Sequence, residues 1–151
     1  MLYSGLRISD VAAFARASID LETGRFSVRT IKSRYRTTVR GKLPAVACEA
    51  LKALPNEGPY FFISGRAKPA TARGSIRRTI DAIMKIGGIE KGNPHRFRHT
   101  FATRLLQNGT RIELVAQLLG HSDIRVTQKH YKHWIPELQA QADAAIDGLD
   151  F

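Results

Sequence analysis

The chain has 151 residues, the size of one domain built around a single substantial core. Its 24 lysines and arginines against 13 aspartates and glutamates leave a formal charge of +11 and a pI near 10.4, an excess that points to a polyanionic partner, nucleic acid foremost. A lone cysteine, Cys48, excludes a disulfide framework and a cysteine-based metal site, and no apolar run suits a signal peptide or a bilayer span, so a cytoplasmic protein with no membrane partner is expected.

In chain order, Ile8, Val11, Ala12 and Ala15 recur at helical spacing, with Ser9 placed as the cap. Arg25–Arg29 and Arg36–Arg40 read as the strands of a hairpin with one basic face, turning around Lys32, Ser33 and Arg34. Ala45 to Leu54 is a short helix stopped by Pro55, with Cys48 a buried thiol, and Tyr60–Ile63 suggests an edge strand. Ile76, Ile80 and Ile83 mark the buried stripe of a helix that ends at Gly87 and Gly88, while Arg73 and Arg77 share another face.

The second half is more sharply punctuated. Phe97, Phe101 and Leu105, four apart, form the inward stripe of one helix, and His95 and Arg98, three apart, point from a neighbouring face at one target. Thr110 and Glu113 form a capping box for a helix whose apolar positions are Ile112, Val115 and Leu119, and Gly120 supplies the left-handed residue that ends it before His121. Pro136 opens a weakly apolar tail helix through Leu138, Ala142, Ala145 and Ile146. The fold class is α+β, mostly helical with a small antiparallel sheet, in one domain over residues 1–151.

Tyr131, ten residues beyond His121 and preceded by Arg7, Lys32, His95 and Arg98, has the company that covalent attack on a phosphodiester needs without a metal. Negative charge building on the nonbridging oxygens is met by guanidinium forks. No carboxylate cluster suggests two-metal catalysis, and neither a metal nor a cofactor is expected. The further arginines Arg34, Arg36, Arg73, Arg77 and Arg96 are assigned to DNA contact.

Four strings carry a resemblance. They are Ser4–Asp10 with Arg7, Thr30-Ile31-Lys32 at the hairpin, His95–Thr103 with Arg98, and Leu118–Ile124 with His121, followed by Thr127–Tyr131. In this order and spacing they resemble the catalytic domain of the tyrosine recombinases, the phage integrase family, over nearly the whole chain. The resemblance implies that Arg7 and Arg98 clamp the phosphate, and that His121 bonds one of its oxygens. His95 assists as acid or base. Lys32, with Lys42 as the alternative, protonates the departing 5′-oxygen, and Tyr131 forms a 3′-phosphotyrosyl bond. The Tyr131 offset is one residue longer than the family's commonest spacing, while His99, His130 and His133 keep a structural reading, His99 through a buried hydrogen bond.

The resemblance also implies site-specific recombination or integration of double-stranded DNA, with self-association on DNA into a tetrameric synapse through residues 136–151 and a monomer in isolation. Relative to that pattern the chain starts on the first arginine motif, so a fold truncated at its N-terminus is expected, without the first helices and the separate core-binding domain. A recombination-inactive DNA-binding remnant and a topoisomerase-like enzyme are the alternatives.

Overall fold

The computed structural model describes residues 1–33, 37–56, 58–63, 69–89, 92–131, 140, 143, 144 and 146–148. Its elements are α1 (Ile8–Ala12), a 3-10 turn (Arg16–Ser18), β1 (Arg25–Arg29), β2 (Thr38–Lys42), α2 (Ala45–Lys52), α3 (Pro69–Ile86), α4 (His95–Gln107), α5 (Ile112–Leu119) and α6 (Ile124–Tyr131). The expected mostly helical fold with a small antiparallel sheet is what forms, and β1 and β2 pair in a two-stranded sheet. Among the described residues no helix is long and apolar enough to cross a membrane.

Alternation decides the hairpin. Phe26, Val28 and Val39 are buried, and Val28 sits opposite Val39. That pairing carries the second strand on to Lys42 opposite Arg25, two residues further than the expected Arg36–Arg40. The outer face is left with Arg25, Arg29, Arg40 and Lys42, the basic face the pattern predicted. Beneath the sheet Phe14, Phe26, Leu43, Cys48, Leu51 and Phe61 form one core, and Phe14 meets Phe26 edge to face with ring centroids 6.0 Å apart. Tyr60–Ile63 adds no strand. Phe61 turns inward onto Phe14, leaving one bridge between Ala15 and Tyr60.

A second core joins α4, α5 and α6 through Ala102, Leu106, Val115, Leu119 and Tyr131. The inward line of α4 runs through Arg98, Ala102 and Leu106, one position from the expected Phe97, Phe101 and Leu105, because a buried arginine occupies a place that apolar patterning assigns to no charge. Phe101 and Leu105 flank it, half-buried. Helix α3 packs on α1, with Ala72 buried in one cluster with Ala12 and Ile76 packed against it; further along, Ile80 is half-buried and Met84 buried beside Gly92, while Ile83 is 56% exposed and outside that four-residue repeat. Two expected caps are replaced. Helix α1 starts after Arg7 and not from Ser9. Thr110 N–H bonds back to Leu105 carbonyl, so Arg111 takes the position before α5 and no capping box forms.

Gly120 ends α5 as predicted, at φ 63° and ψ 39°. His121 N–H donates to Ala116 carbonyl at 3.0 Å and Gly120 N–H to Gln117 carbonyl at 2.9 Å, the paired bonds of a Schellman stop. This turn sets where His121 leaves the helix. In the tail, Pro136, Leu138, Ala142 and Ala145 lie outside the described residues, and Ile146 is exposed.

Candidate active site

Arg7, Lys32, His95, Arg98, His121 and Tyr131 line one cleft of about 560 Å³, although they come from α1's leading edge, the hairpin turn, α4, the α5 stop and α6. Ser33, Thr37, His99, Gly120, Ser122 and His130 complete its polar wall. Lys42 sits at the far end of β2 opposite Arg25, outside this lining, so the hairpin contributes Lys32.

Arg98 is the hub. Only 7% exposed, its guanidinium donates to Gly5 carbonyl and to Leu119 carbonyl, each at 2.5 Å, and reaches His121 Nε2 at 3.0 Å. Two carbonyls far apart in sequence thereby hold the fork at the cleft, an arrangement chemically suited to holding an anion. Burial, reinforced by nearby Arg7, lowers its pKa to about 10, which leaves it charged at neutral pH. Since a guanidinium only donates, His121 Nε2 accepts and its proton sits on Nδ1, 2.7 Å from Thr127 Oγ1. Burial and then the Arg98 and Arg7 charges lower the His121 pKa to about 4, so the ring is neutral at pH 7. His95 is also shifted down, by burial and then by Arg98, Arg7 and Lys32. Tyr131 is 5% exposed and shifted up by burial, with Arg98 opposing, so its phenol is protonated at neutral pH.

Several residues at or beside the cleft were given no site role by the sequence. Asp10 is buried and its Oδ1 accepts Ile31 N–H at 2.8 Å, tying α1 to the residue before Lys32. Ser33 closes the same turn, accepting Thr37 N–H at 2.9 Å and donating to Thr30 carbonyl at 3.0 Å. His99, expected to satisfy a buried hydrogen bond, is exposed and stacks on Tyr131 with centroids 5.0 Å apart and planes at 18°. His130 lines the cleft and adds to the positive field on His121. Of the arginines assigned to DNA, Arg73 and Arg96 are exposed and outside the cleft lining. Arg77 is paired with Asp81 at 2.9 Å on the surface of α3, and its charge still helps to lower the His95 pKa. Arg34, Arg36 and His133 lie outside the described residues.

The chemistry of the wall suits an anion. A metal ion would meet the Arg7, Arg98 and Lys32 cations, and among the described residues no group of His, Cys, Asp and Glu side chains is arranged to hold one.

Residues 1–137 match the model of the phage integrase family. The tyrosine recombinase XerC of Lactobacillus delbrueckii subsp. bulgaricus is 32% identical over 135 residues, covering 83% of this chain and 45% of that protein. The crystal structure of a XerA recombinase superposes with a TM-score of 0.73 at 26% identity, over 93% of this chain and 54% of that one. A XerH site-specific recombinase bound to its difH substrate superposes with a TM-score of 0.66 at 21% identity, over 84% and 39%. The chain spans about half the length of the relatives it matches. With its cleft, motifs and fold in agreement, the chain belongs to the phage integrase family of tyrosine recombinases.

Proposed function

We propose that this chain cleaves and rejoins double-stranded DNA in site-specific recombination, using Tyr131 as nucleophile. The observation that carries the reading is the convergence of Tyr131 with two arginines, a lysine and two histidines on one cleft. In the reaction, Tyr131 Oη attacks the phosphorus and its proton passes to His95, whose depressed pKa leaves a lone pair free. The P–O5′ bond breaks, Lys32 Nζ protonates the departing 5′-oxygen, and a 3′-phosphotyrosyl linkage remains. Charge on the nonbridging oxygens is shared among Arg7, Arg98 and His121. Religation is the same path reversed, with a 5′-hydroxyl attacking.

The partner is DNA, in the cytoplasm where a bacterial or phage chromosome lies. The net charge of +11 supports it, as does the DNA-bound state of the XerH neighbour. Arg34, Arg36, Arg73, Arg77 and Arg96 are assigned to the flanking backbone, and residues 136–151 to linking protomers in a tetrameric synapse.

The test is a library of duplexes nicked near a randomised centre, so that cleavage releases a short fragment and traps the adduct. The wild-type chain yields a covalent product carrying nucleotide on Tyr131, and Tyr131→Phe yields none. DNA binding without any adduct, or an adduct that survives Tyr131→Phe, overturns the reading.

A further inference from the structure

Thr127 is a polar side chain with no access to solvent, on the same face of α6 as Tyr131 and one turn before it. Its hydroxyl lies 2.7 Å from His121 Nδ1, and the opposite ring nitrogen lies 3.0 Å from Arg98 Nη2. The two bonds act on opposite edges of the imidazole and fix both its plane and its tautomer. They are not equivalent. Arg98 can hold Nε2 only while that nitrogen carries a lone pair, whereas the Thr127 oxygen accepts from Nδ1–H whether the ring is neutral or protonated.

A phosphate oxygen entering the cleft competes for both Arg98 Nη2 and His121 Nε2. To donate to that oxygen, His121 must take up a proton on Nε2, and this breaks its bond to Arg98. The charged groups facing the ring are Arg98 from α4, Arg7 ahead of α1, Lys32 from the hairpin turn and His130 from α6. Arg98, Arg7 and Lys32 only donate, so none of the three can accept from the ring. At the moment of chemistry the hydroxyl on α6 is therefore the anchor that survives.

We propose that Thr127 is a positioning residue that holds His121 with its proton on Nδ1 and aims Nε2 at the phosphate while Arg98 turns to the substrate. By the same bond, helix α6 and its Tyr131 keep register with the clamp. The inference rests on the proposed DNA cleavage for its catalytic consequence, but the tautomer it assigns belongs to the free protein.

The test pairs Thr127→Val, which keeps the shape and removes the hydroxyl, with Thr127→Ser, which restores it. In the free wild-type chain at pH 7.5, nitrogen-15 NMR of the histidine rings, with His121→Gln identifying the signal, shows the proton on Nδ1 and protected from exchange. That protected proton is lost in Thr127→Val and regained in Thr127→Ser. On nicked duplex, Thr127→Val forms adduct about 10- to 100-fold more slowly at saturating DNA with DNA affinity unchanged, the range that loss of a ligand-orienting partner produces. Thr127→Ser recovers most of that rate. A wild-type proton on Nε2, a protected Nδ1 proton that persists in Thr127→Val, or cleavage within twofold of wild type overturns the proposal. If the wild-type chain forms no adduct at all, the proposed function falls, and the ring spectra alone still decide whether Thr127 holds His121.

Discussion

Replacing Gly120 with alanine strains the turn that delivers His121, and the structure separates the cost into two parts. At φ 63° a residue with a Cβ occupies the left-handed region, at about 1–2 kcal/mol. A Cβ there would also lie 2.6 Å from Val39 Cγ2, about 1 Å short of ordinary carbon–carbon contact. Val39 is 1% exposed and stiff at χ1, so it cannot rotate away, and such overpacking costs about 1–3 kcal/mol. Gly120→Ala is therefore expected to destabilise the fold by about 2–5 kcal/mol, a large share of the stability of a domain this size. Urea denaturation measures it. A double-mutant cycle with Val39→Ala isolates the contact, because in that background only the backbone cost of about 1–2 kcal/mol should remain. Equal costs in both backgrounds, or a loss below about 0.5 kcal/mol in the wild type, would refute the packing argument.

Arg98→Lys gives up a three-way grip on Gly5, Leu119 and His121 that a single ammonium cannot reproduce, so adduct formation should fall about 100- to 1,000-fold with much less effect on DNA affinity. A loss under tenfold in single-turnover cleavage would count against the clamp. The folded pKa of His121, about 4, lies below its ordinary value near 6.5, so the unfolded chain binds the proton first on acidification. The stability that His121 confers is complete above pH 6.5 and drains away as the pH falls towards 4. The difference in urea midpoint between wild type and His121→Gln should thus drift against the wild type across that window, and a flat difference would contradict the assigned burial. Asp10→Ala leaves Ile31 N–H without its acceptor, at about 1–3 kcal/mol by thermal or urea unfolding, and Asp10→Asn, which keeps Oδ1, should cost less.

The residues that line the cleft were legible because the chemistry proposed for them restricts their residue types and the turns around them restrict their spacing. Gly120 is the plainest case, a glycine whose left-handed φ announces a helix end. What stayed hidden was support. Thr127 in a polar helix and Asp10 in a short one carry no periodic mark, and their roles exist only once α6 meets His121 and α1 meets the hairpin. The misplaced inward line of α4 has a related cause. Arg98 is buried among the Gly5 and Leu119 carbonyls it bonds, and a reading that sorts charge outward must set it on the wrong face. The second strand ends two residues later than expected because Gly41 and Lys42 carry no strand propensity that marks them, and only the pairing of Val28 with Val39 and of Arg25 with Lys42 extends it there.

The hydrogen bond from Arg98 to the Gly5 carbonyl joins residues 93 apart in sequence, and the one to Leu119 reaches forward another 21. No single segment of the chain brings these three residues together by itself. During synthesis Arg7 leaves the ribosome long before the turn at Gly120 exists, and Tyr131 follows later still. The groups proposed for DNA cleavage thus come together only once the two halves have closed on each other, so the proposed chemistry waits for completion of the fold.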